Sequence, residues 1–474
     1  MIKLPKYNKY SLNHEIYFIS ILIKLLLLYK SIRFMKILLA KILYRFPSSI
    51  FPTLLTYLTY FPGIQSHRKN TILALNTHDQ SGGASKIAYQ IANYSRNFFQ
   101  SSFFVGTKKR NEDWIYEIPK MIDNELTSVL NYQERKGDWL DFAKLGPLKL
   151  RENSKFQEAR VLHFHNLHGY YFSYALLPVL GKGKEVIWTL HDDHILTGHC
   201  SFTMQCERWK IGCGSCPSLD VYPALKKDTT KELLYWKKKW INQLNPIIVS
   251  PSQWLADRVT FSYPNLTDIR VINNGIDTDI FVPGDKNQLR EELHLPKDKF
   301  LVLFVAEFST NNPFKGGEIV REVIRKTTNE SICFITIGAE NKSVHPHHQE
   351  YPYISDERKL AKLYAACDVL FYPTNADNFP LVVLEAMGCG LPVIASDIAG
   401  IQEIIEDTVN GFLVEGYSDV SCYENVLQHV FELRDTPKFL EIMHKSRETV
   451  LEKYSLSMML ENYDSLYRSL LNSK

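Results

Sequence analysis

The chain alternates between two hydrophobic periods. Short apolar runs that fit a strand buried on both faces recur at 71–75, 102–105, 161–164, 185–190 and 246–249. Stretches of helical pattern separate them, as with Ile87 and Ile91 at i and i+4 in the first. The alternation restarts at 300–306 and continues at 332–337, 368–372, 392–395 and 411–414. Strands alternating with helices predict a parallel sheet covered by helices, so two such series predict two domains. A strand ending at Val271 and turning through Asn273-Asn274-Gly275 puts the crossing between them within 265–285. The predicted division is an extension over 1–69, a first domain over 70–270, a second over 271–450 and a closing helix over 451–474. Ligands of open parallel sheets sit beyond the C-terminal ends of the strands. Residues just after each run are therefore where chemistry is expected.

Residues 16–46 pattern differently, as IYFISILIKLLLLYKSIRFMKILLAKILYRF. As a spanning helix the run is broken by Lys24, whereas a bilayer needs roughly 20 apolar residues. As a secretory signal it lacks a small-residue cleavage site. As a basic amphipathic segment it fits, because Lys30, Arg33, Lys41 and Arg45 alternate with Ile, Leu and Phe. Such a helix lies in the interface of an anionic membrane. A helical hairpin buried against the following domain is the alternative. No acidic residue occurs between Glu15 and Asp79, an interval that also holds Lys36, Arg68 and Lys69.

Composition changes little in this picture. Hydrophobic residues make up 45% of 474, with 22 glycines and 21 prolines, as in an ordinary globular α/β protein. The net charge of +3 does not suggest a nucleic-acid binder. Eight cysteines do not make a disulfide scaffold in a chain this long. Four of them are clustered as Cys200-x5-Cys206-x6-Cys213-x2-Cys216, and this spacing matches tetrahedral zinc ligation. Gly212 and Gly214 permit the tight turns, and His199 is a substitute ligand. Four protein ligands leave no open position, so a zinc here is structural; two disulfides or four free thiols are the alternatives.

The most informative stretch is 373–415. Asp377 and Glu385 lie eight apart, separated by Asn378, Phe379, Pro380 and an apolar run that can open a helix. Asn378 suits the N-cap and Pro380 the first turn. The free N–H groups of that turn form an anion site. Glu385, one to two turns inside, can accept from a pair of hydroxyls, while Asp377 stands across the anion. An anion between two hydroxyl-reading carboxylates describes a nucleotide sugar. A surface acid and a helix acid beside an ordinary core helix is the bland reading. Two further features follow strand ends. Ser81-Gly82-Gly83-Ala84 joins a strand to a helix, where glycines allow either close approach to a ligand or tight packing. His163, His165 and His168 end one strand, and His191-Asp192-Asp193-His194 follow the next; His163 reads as structural, His165 and His168 as open. Ser250-Pro251-Ser252-Gln253 reads as a capping box with Pro at the first helical position.

The stretch from Asp377 to Phe412 resembles the donor site of family-4 glycosyltransferases of the GT-B fold. The resembling pieces are Glu385-Ala386-Met387-Gly388-Cys389-Gly390, Pro392-Val393-Ile394-Ala395, Gly400, Glu403 and Asn410-Gly411-Phe412. Asp377 stands where most members have Glu, one methylene shorter. The resemblance extends over about 71–470. From Trp188 to Pro217 the chain is similar to a subset that builds bacterial surface polysaccharides of the colanic-acid type. It implies two Rossmann-like domains facing across a cleft, with the closing helix bracing the first domain. It implies a retaining, metal-independent transfer of a hexose-type sugar from a nucleotide-sugar donor. The acceptor, from the basic first segment, is expected to be a lipid-linked saccharide at the cytoplasmic face of the cell membrane. By resemblance, Gly82 and Gly83 face acceptor and donor phosphates, with His165 beside them. His191 faces the transferred sugar, and Lys315-Gly316 clamps the diphosphate. The arginine expected after the first strand of the second domain is replaced by Glu307. That departure keeps two alternatives open, a non-catalytic GT-B-like scaffold and another GT-B chemistry such as nucleotide-sugar epimerisation.

Overall fold

A computed structural model describes residues 51–56, 70–121, 124–338, 345–416 and 419–472. The basic amphipathic segment at 16–46 lies outside the described residues. No described helix is long and apolar enough to cross a membrane.

The first sheet contains β1 (Thr71–His78), β2 (Gln100–Thr107), β3 (Ile115–Glu117), β4 (Val161–Phe164), β5 (Glu185–Thr189), β6 (Ile247–Ser250) and β7 (Ile269–Val271). Its order is β3-β2-β1-β4-β5-β6-β7. The second contains β8 (Phe300–Val305), β9 (Ile332–Ile337), β10 (His348–Tyr351), β11 (Val369–Tyr372), β12 (Val393–Ser396) and β13 (Phe412–Val414), ordered β10-β9-β8-β11-β12-β13. All five pairings of the second sheet are parallel. Each sheet runs outward from its first strand in one direction and then reverses, the Rossmann order, with the switch point at β1/β4 in one and β8/β11 in the other. The chain divides into two compact units. One holds the chain up to Val249 with Val259–Ile269 and the end from Tyr467; the other holds Ser250–Arg258 and Arg270–Leu466.

The apolar runs became the central strands because both faces are covered. Strand β9 is buried along its whole length. The two strands that no apolar run announced, β3 and β10, are edges of their sheets. Strand β10 reads His-Gln-Glu-Tyr and is half-buried throughout, so its pairing comes from the neighbouring strand and not from its own pattern.

The helices that matter below are α1 (Gly82–Ser95), α2 (Thr230–Leu244), α3 (Gln253–Ser262), α4 (Gly317–Lys326), α5 (Glu357–Ala366), α6 (Leu381–Gly388) and α7 (Leu456–Asn472). Ile87, Ala88, Ile91 and Ala92 form the buried face of α1. Ile319, Val320, Val323 and Ile324 of α4 join the core over the second sheet with Phe300, Phe304 and Phe371.

The end of α7 is tied to the first sheet. Tyr467 Oη lies 2.6 Å from His163 Nδ1, and Thr189 Oγ1 lies 2.8 Å from His163 Nε2. Arg160 donates to the carbonyls of Leu471 and Leu470 at 2.7 and 3.0 Å. Burial first, and His191 next, push His163 down to about 3, so it is a neutral structural histidine. Tyr467→Phe removes one of these buried hydrogen bonds and is expected to lower stability by about 1–3 kcal/mol. Urea unfolding checks it; an unchanged midpoint would show that the contact contributes nothing.

Candidate functional site

In the second unit, the loops after β8 and β11 are joined through one carbonyl. Phe314 O accepts from Asn375 N at 2.8 Å, Ala376 N at 3.2 Å and Thr374 Oγ1 at 3.0 Å. Asn375 Nδ2 adds a bond to Pro313 O at 2.9 Å. Gly316 makes this approach possible: its φ is +70°, and a Cβ there would fall 1.7 Å from Pro373 O. The docking carries the Lys315 ammonium onto Asp377. Asp377 Oδ2 accepts from both Lys315 Nζ and the Tyr372 hydroxyl, and Oδ1 accepts from Asn378 N at 2.9 Å. Burial first, and Asp377 next, push the Tyr372 hydroxyl far above its ordinary value, so it stays a donor.

Helix α6 begins at Leu381 with Pro380 in the cap position, and no side chain caps it. This corrects the expected roles of Asn378 and Pro380. Pro380, fixed at φ −72° and extended at ψ 125°, occupies the position assigned to Asn378. Asn378 is drawn away, because its Oδ1 accepts from Ser252 Oγ at 2.9 Å. Gly400 presses against its backbone, where a Cβ would meet Asn378 O at 1.9 Å. The capping box at 250–253 is corrected likewise. Ser252 is the cap of α3, accepting from Leu255 N at 3.2 Å. The carboxylate of Glu403 takes the next free donors, Gln253 N at 2.9 Å and Trp254 N at 2.7 Å. Phe379 and Leu381 are buried, and Phe379 packs edge-on against Tyr454. Those two residues can therefore offer a ligand their backbone but not their side chains. Glu385 is 6% exposed in an otherwise apolar helix and accepts from Tyr364 Oη of α5 at 3.2 Å.

In the first unit, the groups gather at the ends of β1, β4 and β5. Gly82 opens α1 at φ +74°, and a Cβ added there would meet nothing within 4 Å. Both Gly82 and Gly83 are exposed, and no side chain caps α1. Gly82 is thus required for its backbone conformation, not for tight packing. Asn76 links this turn to β4: its Nδ2 reaches Ser85 Oγ at 3.3 Å, and its Oδ1 accepts from Asn166 N at 3.1 Å. His165 Nδ1 lies 3.1 Å from His191 Nε2, with the rings stacked at 5.3 Å. Burial pushes His165 well below its ordinary value and His191 down to about 4, so the pair shares one hydrogen between neutral rings. His168 Nε2 lies 2.6 Å from Asp192 Oδ2. Burial works against the Asp192 carboxylate, but His168 brings it below the usual range.

Residues 285–443 match the family model described as Glycosyl transferases group 1. The chain is 29% identical over 322 residues to the putative colanic acid biosynthesis glycosyl transferase WcaC of Escherichia coli K12, covering 65% of this chain and 76% of that one. It is 26% identical over 213 residues to D-inositol 3-phosphate glycosyltransferase of Mycobacterium tuberculosis, spanning 42% of this chain and 43% of the relative. Among solved structures, sucrose-phosphate synthase of Thermosynechococcus elongatus superposes with a TM-score of 0.65 at 17% identity, covering 86% of this chain and all of that one. HepE of Anabaena, solved with UDP-glucose, gives 0.59 at 18% identity over 84% of this chain and all of its own. The protein is a glycosyltransferase of the GT-B fold.

The structure of this glycosyltransferase brings the site residues together in two sets, one in each unit. Lys315, Asp377 and Asn378 form one chain of contacts beside the start of α6, with Glu385 further along that helix. His165 and His191 form the other set, linked through Asn76 and Asn166 to the glycine turn. Tyr372, Tyr364 and Ser252 are partners that sequence reasoning missed. Tyr372 was detectable as the last residue of a strand run ahead of a loop, whereas Tyr364 and Ser252 come from sequence positions with no spacing relation to their partners. Two exposed tyrosines were also missed. Tyr170, at φ +67°, and Tyr222 stand with ring centroids 6.4 Å apart beyond His168. Below them Asp141 is buried, and burial first, with Glu134 next, pushes it up to about 7. The four clustered cysteines are unpaired and partly exposed, and among the described residues no three metal-binding side chains converge at ligating distance.

The neutral histidines give a pH signature. His163 and His191 sit at about 3 and about 4 in the fold, against 6.5 ordinarily. The unfolded chain therefore takes up protons first as pH falls. Their contribution is full above about 6.5 and is lost on descending toward about 4. Each can remove up to about 1.4 kcal/mol per pH unit in that window. Urea unfolding at about pH 7 and about pH 5 is expected to show a clear drop, smaller in His191→Gln; equal midpoints would contradict it.

Proposed function

We propose that this glycosyltransferase moves a hexose-type sugar, with retention, from a nucleotide-sugar donor to a lipid-linked saccharide in surface polysaccharide synthesis. The single observation that carries the donor half is the set Lys315, Asp377 and Tyr372 beside the uncapped start of α6. A carboxylate, an ammonium and free backbone donors at a strand-order switch point suit a ligand with both hydroxyls and a diphosphate. In the reaction the bond from the anomeric carbon to the diphosphate oxygen breaks, and one to the acceptor hydroxyl oxygen forms. Lys315 and the first-turn N–H groups of α6 stabilise the leaving diphosphate. Glu385 accepts from the ribose hydroxyls. Asp377, held in place by Tyr372, accepts from the sugar, and His191 is assigned to the sugar by resemblance. No metal is assigned to the chemistry. The UDP-glucose complex of HepE supports a nucleotide-sugar donor, and the likeness to WcaC supports polysaccharide synthesis. The exposed Tyr170 and Tyr222 support a saccharide acceptor, since sugar rings pack on aromatic faces.

Calorimetric titration with UDP-, GDP- and ADP-sugars tests the donor half. One base is expected to bind. Loss of a hydrogen bond to a charged group, about 1.5–3 kcal/mol, should weaken it roughly tenfold or more in Glu385→Gln. Lys315→Ala should weaken nucleoside diphosphates more than the free nucleoside. A folded protein that binds none of the panel would sink the reading. Product analysis with and without acceptor separates transfer from epimerisation.

The membrane half rests on the acid-free basic segment ahead of Asp79. It supports a peripheral position on the inner face of the cell membrane. Full-length protein is expected to float with anionic liposomes and to be released by salt. Protein that stays in the soluble fraction with anionic vesicles would remove the membrane from the proposal.

A further inference from the structure

Two aromatic side chains of the first unit lie open near the strand end that carries His191. Tyr170 is 55% exposed and Tyr222 is 42% exposed. Their rings stand nearly perpendicular, at 83° with centroids 6.4 Å apart. Buried tyrosines of the same unit spend their hydroxyls inside it. Tyr171 donates to Asn166 O at 2.6 Å, Tyr263 donates to Ile195 O at 2.6 Å, and Tyr174 Oη lies 2.8 Å from His194 Nδ1. The hydroxyls of Tyr170 and Tyr222 have no hydrogen-bond partner among the described residues.

Both rings are mounted firmly. Tyr170 takes φ +67° and follows Gly169 at +105°. A bulky side chain in the left-handed region is an outlier that its surroundings have to impose. Here Thr77 of β1 does so, with Oγ1 2.9 Å from His168 O and 3.1 Å from Asn166 O. A Cβ on Gly169 would fall 2.9 Å from Thr77 Cγ2. Tyr170 N donates to the buried Asp141 Oδ2 at 3.3 Å. Tyr222 is tied to the segment after β5. Its carbonyl accepts from Ser201 N at 3.0 Å, and Ser201 O accepts from Asp193 N at 2.8 Å.

Polar groups stand beside the rings. The His168 ring lies 6.0 Å from that of Tyr222, and its Nε2 donates to Asp192 Oδ2 at 2.6 Å. Asp192 Oδ1 accepts from His194 N at 3.0 Å. A carboxylate offers about four lone-pair positions, so Asp192, with its side chain 12% exposed, keeps acceptor capacity for a ligand. His168 is 8% exposed, and its Nδ1 has no partner among the described residues. Buried polar atoms are nearly always hydrogen-bonded. Two lysines of this region are already engaged. Lys237 of α2 donates to His194 O and Thr197 O at 2.6 and 2.9 Å, and Lys144 pairs with Glu134 at 2.9 Å. The open groups are therefore aromatic faces, hydroxyls and acceptors.

We infer that Tyr170, Tyr222 and Asp192 form the subsite for one neutral sugar ring of the acceptor, with His168 as the residue that positions Asp192. This assignment rests on the saccharide acceptor proposed above and adds which residues hold it and which sugars they reject. The C–H face of a pyranose packs on a tyrosine ring while its hydroxyls donate to the carboxylate. Perpendicular rings frame a single sugar and do not sandwich it. A uronic acid would bring a second carboxylate against Asp192, and like charges brought together disfavour the complex.

Saturation-transfer NMR on the full-length protein tests this. The probes are the methyl glycosides of glucose, galactose, mannose and fucose, with methyl glucuronide and methyl galacturonide. At least one neutral glycoside is expected to bind, with transfer strongest at the hydrogens of one ring face. The uronides should bind roughly tenfold more weakly or worse, and Asp192→Asn should narrow that gap. Tyr170→Ala and Tyr222→Ala should weaken the neutral glycoside several-fold, whereas Tyr222→Phe, which keeps the ring, should not. Alanine variants that bind the glycoside as the wild type does would overturn the subsite. So would a wild type that prefers the uronides or binds none of the neutral probes. Titration of the same proteins with nucleotide sugar reports the donor site separately. Glycoside bound at the tyrosines without any nucleotide sugar would sink the donor reading and leave this site in place. The comparison of neutral with acidic glycosides uses the wild type alone, so a misfolded variant does not leave the question open.

Discussion

The donor half depends on the three hydrogen bonds that converge on the carbonyl of Phe314. Through them the loop after β8 is set against the loop after β11, and Gly316 is the position that lets the two backbones meet. Two charges far apart in sequence, Lys315 and Asp377, become an ion pair as a result. The pair is partly buried, with side chains 23% and 14% exposed. A carboxylate left unpaired in so buried a setting would cost several kcal/mol. Tyr372 and the Asn378 amide complete its hydrogen bonding, so its position is held from three sides.

The same logic of strand ends organises the first unit with different chemistry. There the switch point lies at β1/β4, and the groups at its centre are neutral histidines, with the Asp192 carboxylate beside His168. Burial keeps His163, His165 and His191 uncharged. Their hydrogens are divided by geometry, because each ring nitrogen that donates must meet one that accepts. His163 spends both nitrogens on structure, towards Tyr467 and Thr189. His191, at the surface end of the network, is the member left half-buried. Position along the network separates roles that sequence could not separate.

Much of this was legible in the chain. The central strands were visible because a strand buried on both faces must be apolar throughout, and β8, β9, β11 and β12 are. The edge strands β3 and β10 were not, since an edge needs only a neighbour to pair with. The acid spacing around Asn378 and the Lys315-Gly316 dipeptide pointed to the two loops that the Phe314 carbonyl joins. The cap assignments failed for one physical reason: capping propensity ranks a residue's willingness to cap, whereas tertiary partners decide whether it is available. Ser252 claimed Asn378, and Glu403, some 150 residues away, claimed the donors of α3. The ion pair between Lys315 and Asp377 was likewise hidden, because sequence separates them by 62 positions and only the Phe314 docking closes that gap.

The displacement of Asn378 from the cap has a consequence for Glu307. With no arginine after β8, the proposed donor chemistry leaves the phosphate charge to Lys315 and α6. A helix that carries an Asn or Asp cap has already committed its first donors and part of its dipole, worth about half a charge. Pro380 can neither donate nor accept through its side chain, so the first turn of α6 keeps both for a ligand. Lys315 is paired with Asp377, and in the proposed reaction a diphosphate would compete for it. If the ammonium moved to a phosphate, Tyr372 and the Asn378 amide would still hold Asp377. Its freed lone pair would then be open to a sugar hydroxyl. The ion pair is therefore compatible with catalysis as a resting state. On that proposal, the helix terminus that no side chain caps would offset the missing arginine.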